Sequence, residues 1–368
     1  MLRFSYYVNP QPTSNDNKNA IEDLLEQIKL AAKNNYSDIW LTEHHFTGYN
    51  IYSDPIILAS AISQIVPSMN IGFSVNVVPF HHPVRFATQM NLLDQLTNGK
   101  IMIGIGPGNS IDEFEGYGLN VNDRHDMMNE FMNVLFKCWE SNEGFSYSGK
   151  FYKGEVKGRI IPASIQKPYP KIAIASTTPE RLEWIGSNGW SILLGPQNPE
   201  IIASRLKYFF DGMDKAKLSE KQKLTAWQNT GVLRQIYVAE EGEDWHQTIN
   251  DEIDNYIQRS AMVNTGIDDL PHEQFEIRKQ AYLEGGWLIG GTPEEIYDYL
   301  KPFAQMGLNN LLCWFNFGGL KHEKITNSMV KFQEHVVPEL QKVKIEKGLI
   351  KNITSKKITL NKGILDIP

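Results

Sequence analysis

Short apolar runs alternate with amphipathic helical stretches along almost the whole chain, and this alternation limits the possible folds more than any other feature. Short continuous apolar runs are typical of buried strands, whereas apolar residues that recur every three or four positions are typical of helices. Eight predicted strands, separated by helical stretches, lie at 4–8, 39–42, 70–78, 100–106, 171–175, 190–194, 231–239 and 310–315. This order predicts an α/β protein, a (β/α)₈ TIM barrel, with an open doubly wound sheet as the alternative.

Two segments interrupt the alternation. Residues 144–157 follow the fourth predicted helix, 123–139, and are rich in aromatic, Ser and Gly residues, which predicts a small inserted β-hairpin. Residues 260–286 come after the seventh predicted strand and its helix, show no clear strand pattern, and are expected to form a long insertion. We therefore expect one barrel domain at 1–340 and a lysine-rich C-terminal extension at 341–368.

Charge and cysteine content narrow the class of protein. The net charge of −7 argues against nonspecific nucleic-acid binding, which needs a basic face. Only two cysteines occur, Cys138 and Cys313, so no disulfide framework is expected and a reducing compartment fits. Met1 is followed at once by an amphiphilic strand, and no apolar run reaches transmembrane length. These features predict a cytoplasmic protein without a membrane or nucleic-acid partner.

The second predicted strand ends in three residues that can transfer protons. Glu43, His44 and His45 follow the apolar run 39–41 directly. Ligands of parallel α/β proteins bind at the carboxyl ends of the strands, and a carboxylate beside two imidazoles can act as acid or base near neutral pH. A metal site and an ordinary hydrogen-bonded loop are the alternatives. A metal site shared with His81 and His82 lacks a known ligand spacing, so we expect none.

The next two strands also end in residues suited to a ligand. Asn76 is a polar residue inside an apolar run, which fits either a ligand contact or satisfaction of buried backbone groups. Gly104, Gly106 and Gly108 at the end of the fourth predicted strand allow a ligand to approach the backbone closely. Their spacing is not the G-x-G-x-x-G pattern of dinucleotide-binding folds, so the sequence does not favour that fold.

The fifth predicted strand ends in three hydroxyl residues, Ser176, Thr177 and Thr178, and Pro179 then begins a helix. Free amides and the helix dipole favour an anion at such a position, most often a phosphate. An ordinary capping box formed by Thr177 and Glu180 is the alternative. Beside a glycine-rich strand end, a phosphate-bearing cofactor is the better interpretation. The aromatic stretch 314–319 fits either an apolar substrate pocket or the core.

Several of these stretches resemble the luciferase-like flavin monooxygenases of bacteria. Residues 40–46, WLTEHHF, are similar to the W-L-x-E-H-H-F signature of that family. Residues 82–85 and 91–100, HPVR and NLLDQLTNGK, resemble its next characteristic stretch, and 290–295, GGTPEE, resembles a late G-T-P-E segment. The resemblance extends from the N-terminus to about residue 340 and is specific for the superfamily but not for a substrate.

The resemblance implies a TIM barrel that binds reduced FMN at its carboxyl face. Such an enzyme takes FMNH₂ from a separate NAD(P)H:flavin reductase, forms a C4a-peroxyflavin with O₂, and oxygenates a small organic substrate. His44 matches the family's catalytic histidine, with Glu43 and His45 as further catalytic candidates, and Ser74–Val75 matches a non-proline cis peptide beside the isoalloxazine. The expected cofactor-binding residues are Ser74, Val75, Asn76, Gly106, Gly108, Ser176, Thr177 and Thr178. Family analogy also implies a homodimer.

The sequence departs from the light-emitting members of the family. Gly106 stands where their light-emitting subunit has a reactive cysteine, and Pro107 where it has a phosphate-binding arginine. The glycine is expected to open space beside the flavin, and Arg259, Arg278 and Lys279 are candidates for gating the pocket or contacting the phosphate. Light emission is not expected. An F420-dependent oxidoreductase and a noncatalytic flavin-binding subunit are the alternative functions.

Overall fold

The computed structural model describes residues 2–12, 16–267 and 269–350. Its strands are β1 Arg3–Val8, β2 Asp38–Leu41, β3 Asn70–Phe73, β4 Asn76–Val77, β5 Ile101–Gly106, β6 Phe145–Ser148, β7 Lys153–Val156, β8 Lys171–Ala175, β9 Ser191–Leu194, β10 Gly231–Val238, β11 Leu288–Gly291 and β12 Asn310–Trp314. Its helices are α1 Asn17–Lys33, α2 Pro55–Ile65, α3 Pro83–Leu96, α4 Ile111–Gly116, α5 Arg124–Glu140, α6 Pro179–Ser187, α7 Pro199–Lys215, α8 Glu220–Gln228, α9 Trp245–Thr248, α10 Asn250–Thr265, α11 His272–Glu284, α12 Pro293–Gln305, α13 His322–Lys331 and α14 Val337–Lys342.

Eight parallel strands close into a barrel. The ring runs β1, β2, β3, β5, β8, β9, β10 and β12, and β12 pairs with β1 so that Trp314 lies opposite Tyr7. The short strand β4 continues the line of β3 and pairs with β5. The predicted (β/α)₈ barrel is therefore confirmed, and the open sheet is excluded because both ends of the strand order are paired.

The interior of the barrel is filled below its carboxyl end. Trp40 is buried inside, and a Cβ atom added at Gly72 on the next strand would lie 2.5 Å from its indole ring. At Gly104 a Cβ atom would lie 1.6 Å from the backbone oxygen of Phe73, so these strands approach each other too closely for a side chain. The glycines thus make room for the tryptophan and for the neighbouring backbone, and the open end of the barrel is the carboxyl rim.

Local sequence signals explain where several helices begin. The Asp54 carboxylate accepts hydrogen bonds from the backbone amides of Ile56 and Ile57 at 2.9 and 3.0 Å, and Pro55 occupies the first turn, as predicted. Pro83 begins α3 in the same way. The predicted hairpin 144–157 is confirmed as β6 and β7, which pair antiparallel.

The predicted insertion at 260–286 holds the end of α10, up to Thr265, and the helix α11, and it contains no strand among its described residues, as expected. A further parallel strand that the sequence analysis missed, β11, follows the insertion and pairs with the second half of β10. This strand has only four residues, Leu-Ile-Gly-Gly, and its two glycines hide the apolar pattern that marks the other strands. The barrel is therefore accompanied by a ninth parallel strand at its rim. The closing helix predicted at 324–340 is observed as α13 and α14, joined by a π-helical turn at Phe332–Val336.

The end of the predicted C-terminal extension, 351–368, lies outside the described residues, so its separation from the barrel stays a prediction. In the part of the chain that the structure describes, no helix is both long and apolar enough to cross a membrane. Cys138 and Cys313 are both buried free thiols.

Candidate active site

The predicted site residues lie at the carboxyl ends of neighbouring strands. Residues 43–45 follow β2, Asn76 lies in β4, Gly106 ends β5, and 176–178 follow β8. Because all the barrel strands are parallel, these positions share one rim of the barrel. The sequence-based expectation that they gather at one face therefore agrees with the topology.

One ring nitrogen of His44 is fixed by a hydrogen bond, and the other has no partner among the described residues. Its Nδ1 lies 3.1 Å from Oε1 of Glu113, and its ring meets Tyr49 edge to face with centroids 4.7 Å apart. A carboxylate can only accept a hydrogen bond, so Nδ1 carries the proton and donates it. Nε2 makes no hydrogen bond to any residue that the structure describes, and the side chain keeps 22% of its exposure. The imidazole therefore presents a nitrogen that can accept a proton from a ligand.

Glu113 is the main residue that the sequence analysis missed. It lies in α4, is almost fully buried, and its Oε1 also accepts a hydrogen bond from the backbone amide of His45 at 3.0 Å. One carboxylate oxygen thus fixes both the ring of His44 and the chain after it. The pattern Ser110-x-x-Glu113 marks a helix start, and the Ser110 hydroxyl does accept from the Glu113 amide. That pattern gave no sign that the side chain turns towards His44.

Glu43 is buried, and its hydrogen bonds connect the end of β2 with β4 and the residues that follow it. One of its oxygens accepts from the backbone amide of Val77 at 2.7 Å, and the other lies 2.8 Å from Nε2 of His81 and 3.0 Å from Nε2 of His45. Burial alone would raise the pKa of Glu43, but the nearby His81 charge and the hydrogen bonds from both histidines lower it to about 2. Burial lowers the pKa of His81, yet the Glu43 charge outweighs this and raises it. The two groups therefore form a buried ion pair.

His45 is engaged at both ring nitrogens. Nε2 faces Glu43, and Nδ1 lies 3.1 Å from the hydroxyl of Tyr117. Of the three residues predicted as catalytic, only His44 combines a fixed ring with an unengaged nitrogen among the described residues. Glu43 and His45 are placed to support the strand ends beside it. Among the described residues no group of three or more His, Cys, Asp or Glu side chains is arranged to hold a metal ion.

The segment from Ser74 to Asn76 offers both backbone and amide groups to a ligand. The Ser74–Val75 peptide is cis, and the Tyr7 hydroxyl lies 3.4 Å from the Ser74 carbonyl oxygen. Asn76 is fully buried, and its amide nitrogen donates to the Gly104 carbonyl at 3.1 Å, so part of its role is to satisfy backbone. Its Oδ1 has no hydrogen-bond partner among the described residues. A buried acceptor without a donor fits a ligand that carries an N–H group.

The glycines at the end of β5 have a different role from the predicted one. A Cβ atom at Gly106 would lie 2.5 Å from Cγ2 of Val75, so the missing side chain makes room for Val75 and does not open space for a ligand. Gly108 has a φ of +71°, which disfavours other residues, and a Cβ atom there would lie 2.6 Å from Val77. These glycines therefore shape the floor of the site by letting the segment 74–77 pack closely.

The helix after β8 begins without a side-chain cap. Thr178 is the N-cap residue, its side chain makes no capping hydrogen bond, and the capping box of Thr177 and Glu180, which needs Thr177 at the N-cap, is therefore wrong. Ser176 is half-buried and the two threonines are exposed. Uncapped amides, three hydroxyls and the positive end of the helix dipole suit a phosphate.

Two of the three basic residues predicted to gate the pocket, Arg259 and Lys279, make hydrogen bonds or ion pairs within the protein. Arg259 donates to the carbonyls of Gly48 at 3.0 Å and Pro12 at 3.3 Å, which ties α10 to the loops after β1 and β2. Lys279 lies 2.5 Å from Asp254 and donates to Asn250 at 2.7 Å. Both side chains therefore make structural contacts between helices and loops in this structure.

Aromatic rings surround the space beside His44. Tyr49 hydrogen-bonds to Tyr256 between their hydroxyls at 3.2 Å, and Tyr256 packs against Tyr282 and Trp314 with centroids 5.1 and 5.4 Å apart. Tyr256 lies in α10, just before the predicted insertion, and Tyr282 lies in α11, within it, so both helices supply the wall of the site. The aromatic residues predicted either to line the pocket or to lie in the core do both. Trp314 packs against this wall, whereas Phe315 packs in the core against Tyr36 and Phe332.

Comparisons with known proteins identify the family to which the chain belongs. The sequence model of the luciferase-like monooxygenases matches residues 2–310. A protein of Acinetobacter baylyi named flavin-dependent trigonelline monooxygenase, oxygenase component, is 22% identical over 94% of this chain and 98% of its own.

Two solved structures share the fold at low sequence identity. The oxygenating constituent of 3,6-diketocamphane monooxygenase from Pseudomonas putida, in complex with FMN, has a TM-score of 0.72 at 14% identity and covers 92% of this chain and 98% of its own. An F420-dependent secondary alcohol dehydrogenase has a TM-score of 0.72 at 15% identity and covers 92% of this chain and 99% of its own. The fold is therefore shared by enzymes that use different flavin-type cofactors, while the match to the sequence model covers most of this chain. The chain belongs to the luciferase-like monooxygenase family of enzymes.

Proposed function

We propose that this protein is an FMNH₂-dependent monooxygenase that uses O₂ to oxygenate a small organic substrate. The observation that carries the proposal is His44, whose Nδ1 is fixed by Glu113 while Nε2 is unengaged among the described residues at the mouth of the barrel. The name of the relative from Acinetobacter baylyi, an oxygenase component, supports a separate NAD(P)H:flavin reductase as partner. Homodimer formation and a cytoplasmic location stay predictions from the sequence.

The residues of the rim fit FMN in two places. The Oδ1 of Asn76, which has no hydrogen-bond partner in the described part of the chain, suits the edge of an isoalloxazine ring, where one N–H donor lies between two carbonyl groups. The uncapped start of α6 suits the phosphate, and it needs no arginine at position 107. Reduced FMN would supply the electrons for activating O₂ at this site.

The side chains of the protein have separate roles in the proposed reaction. His44 accepts or donates a proton at Nε2, and the Glu113 carboxylate stabilises the imidazolium that forms when it accepts one. The tyrosines around His44 keep water from the reacting atoms and orient the substrate. Burial raises the pKa of Tyr49 to about 12, so its hydroxyl stays protonated at neutral pH.

Anaerobic titration of the purified protein with FMN, FMNH₂ and reduced F420 tests the proposed cofactor. We expect FMNH₂ to bind most tightly, and we expect label from ¹⁸O₂ to enter the product once a substrate is found. The shared fold with an F420-dependent dehydrogenase makes F420-dependent hydride transfer the second candidate. Preferential binding of F420 would replace the first proposal by the second.

Replacing His44 tests the proposed acid–base role. His44→Ala is expected to lower kcat by about 10²-fold or more, the range for loss of a general acid or base. The matched control is His272→Ala, because that side chain is 89% exposed on α11 and its Nδ1 lies 4.0 Å from Glu276. Turnover close to wild type in the His44 variant would remove His44 from the mechanism and favour the noncatalytic flavin-binding alternative.

A further inference from the structure

The short strand β4 is fixed by different kinds of partner on its two sides. It consists of Asn76 and Val77, fewer residues than a typical strand, and it pairs with β5. On the side of β2, the backbone amide of Val77 donates to Oε2 of Glu43 at 2.7 Å. Because β2 ends at Leu41, the Glu43 side chain supplies the acceptor that the backbone of a longer strand would offer. A carboxylate therefore holds one edge of β4.

Both oxygens of Glu43 are occupied by N–H donors. Oε2 accepts from Val77, and Oε1 lies 2.8 Å from Nε2 of His81 and 3.0 Å from Nε2 of His45. Although burial raises the pKa of Glu43, the His81 charge and the hydrogen bonds from both histidines lower it to about 2. The carboxylate therefore stays ionised at neutral pH, and it is suited to holding its neighbours rather than to supplying a proton.

Asn76 is the residue whose position depends on this bond. Its side chain is fully buried, and its amide nitrogen donates to the Gly104 carbonyl of β5 at 3.1 Å. Its Oδ1 has no hydrogen-bond partner among the described residues, although a buried acceptor is normally paired. The side chain is thus tied to β5, and the next residue along the chain, Val77, is tied to Glu43. The direction of Oδ1 is therefore set from both sides of the strand.

We propose that Glu43 is a positioning residue for the flavin. By holding the Val77 amide, it keeps Oδ1 of Asn76 where the N–H group between the two carbonyls of the isoalloxazine ring can donate to it. The inference rests on the proposed function, because it concerns the proposed cofactor. It gives Glu43 a role that differs from the catalytic one expected from the sequence: loss of the carboxylate lowers flavin affinity through Asn76 and leaves the proton-transfer group, His44, in place.

A double-mutant cycle tests whether Glu43 acts through Asn76. Glu43→Gln leaves one acceptor oxygen for three donors, and Asn76→Ala removes the proposed contact with the ring. Binding of FMN is followed by flavin fluorescence, and binding of FMNH₂ by absorbance without oxygen. We expect Glu43→Gln alone to weaken both by about fivefold or more. In the double variant we expect the affinities of Asn76→Ala to within about twofold, since no contact is left to position. Losses that multiply in the double variant would overturn the proposal.

A milder variant and a matched control separate positioning from general loss of stability. Glu43→Asp keeps the charge but shortens the side chain, so it should weaken FMN binding in the same direction by a smaller factor. Asp94→Asn is the control, because Asp94 is also fully buried and accepts from the amides of Ile165 and Gln166 at 2.6 and 2.9 Å. Gln166 also binds the carbonyl of Ile101, at the start of β5, so this carboxylate lies at the opposite end of the barrel. FMN affinity should stay close to wild type in Asp94→Asn, and an equal loss in both variants would contradict the positioning role.

Hydrogen exchange of the flavin-free protein, followed by mass spectrometry, provides a measurement that needs no cofactor. Glu43→Gln should speed exchange in residues 74–78, whereas Asp94→Asn should speed it near 165–166 and leave 74–78 unchanged. Unchanged protection of 74–78 in the Glu43 variant would show that the carboxylate does not hold β4.

The outcome for Glu43 can be separated from the outcome for the cofactor. Tight binding of FMNH₂ that Glu43→Gln does not weaken would support the proposed function and contradict the positioning role. Faster exchange at 74–78 in a protein that binds neither FMN nor FMNH₂ would contradict the proposed function and reduce Glu43 to a structural residue.

Discussion

Replacing Glu43 by glutamine is expected to destabilise the fold in a way that depends on pH. Glutamine keeps an oxygen for the Val77 amide but has no charge to pair with His81. The pKa of Glu43 is lowered from 4.5 to about 2, and this shift corresponds to about 3 kcal/mol at 1.36 kcal/mol per pKa unit. We therefore expect Glu43→Gln to lower the free energy of unfolding by about 3 kcal/mol where both partners are charged.

The pH range of this effect follows from the two pKa shifts. The contribution of Glu43 is complete above its unfolded pKa of 4.5 and is lost as the pH falls towards 2. The contribution of His81, whose pKa is raised, is complete below its unfolded pKa of 6.5 and is lost as the pH rises through the raised value. The difference between wild type and variant should therefore be largest between pH 4.5 and 6.5.

Urea unfolding followed by circular dichroism at several pH values measures this difference. Glu22→Gln is the control, since Glu22 lies on the exposed face of α1 and pairs with Lys18 at 3.6 Å, where an ion pair contributes only about 0.5 kcal/mol. A loss below about 1 kcal/mol for Glu43→Gln, or a loss that stays constant from pH 3 to pH 8, would show that the buried pair does not stabilise the strand ends as argued.

Two further substitutions examine the surroundings of His44 and the floor of the site. Glu113→Gln should lower kcat by at least about tenfold with little change in KM, because a neutral amide stabilises the imidazolium of His44 less well; steady-state kinetics measures this, and an unchanged kcat would make Glu113 purely structural. Gly106→Ala should destabilise the protein by about 1–3 kcal/mol in urea unfolding, because the new Cβ atom would lie 2.5 Å from Val75. Adding Val75→Ala should recover most of that loss, and no recovery would contradict the assigned contact.

The parts of the fold that sequence patterns predict are those with strong local signals. Long apolar runs revealed the eight barrel strands, and Asp54 followed by Pro55 marked the start of α2. Strand β11 was not predicted, because its sequence, Leu-Ile-Gly-Gly, is short and half glycine and therefore lacks a clear apolar pattern. Its pairing with β10 is a tertiary contact, which local patterns do not report. Local patterns therefore predicted the architecture but not the extra strand that follows the insertion.

The site was predictable only where its residues adjoin a strand in sequence. His44 follows β2 directly, whereas Glu113 reaches it from α4 after a gap of 69 residues, and Tyr256 approaches Tyr49 from 207 residues away. Such contacts depend on how the helices pack at the rim of the barrel, and the hydrophobic periodicity of the sequence carries no information about this packing. The same reason explains Arg259, whose charge suggested a gate but whose guanidinium binds the backbone of two loops.

Trp40 in the barrel interior has a consequence for the order of events during turnover. Since this ring and the close approach of β3 and β5 fill the barrel below the rim, ligands can enter only through the carboxyl mouth. A flavin bound beside the segment 74–76 and a substrate beside the tyrosines of α10 and α11 would then share this one entrance. The order in which the two ligands bind and leave would therefore be set by which of them lies nearer the mouth, and this order can be measured by steady-state kinetics with one ligand varied at fixed levels of the other.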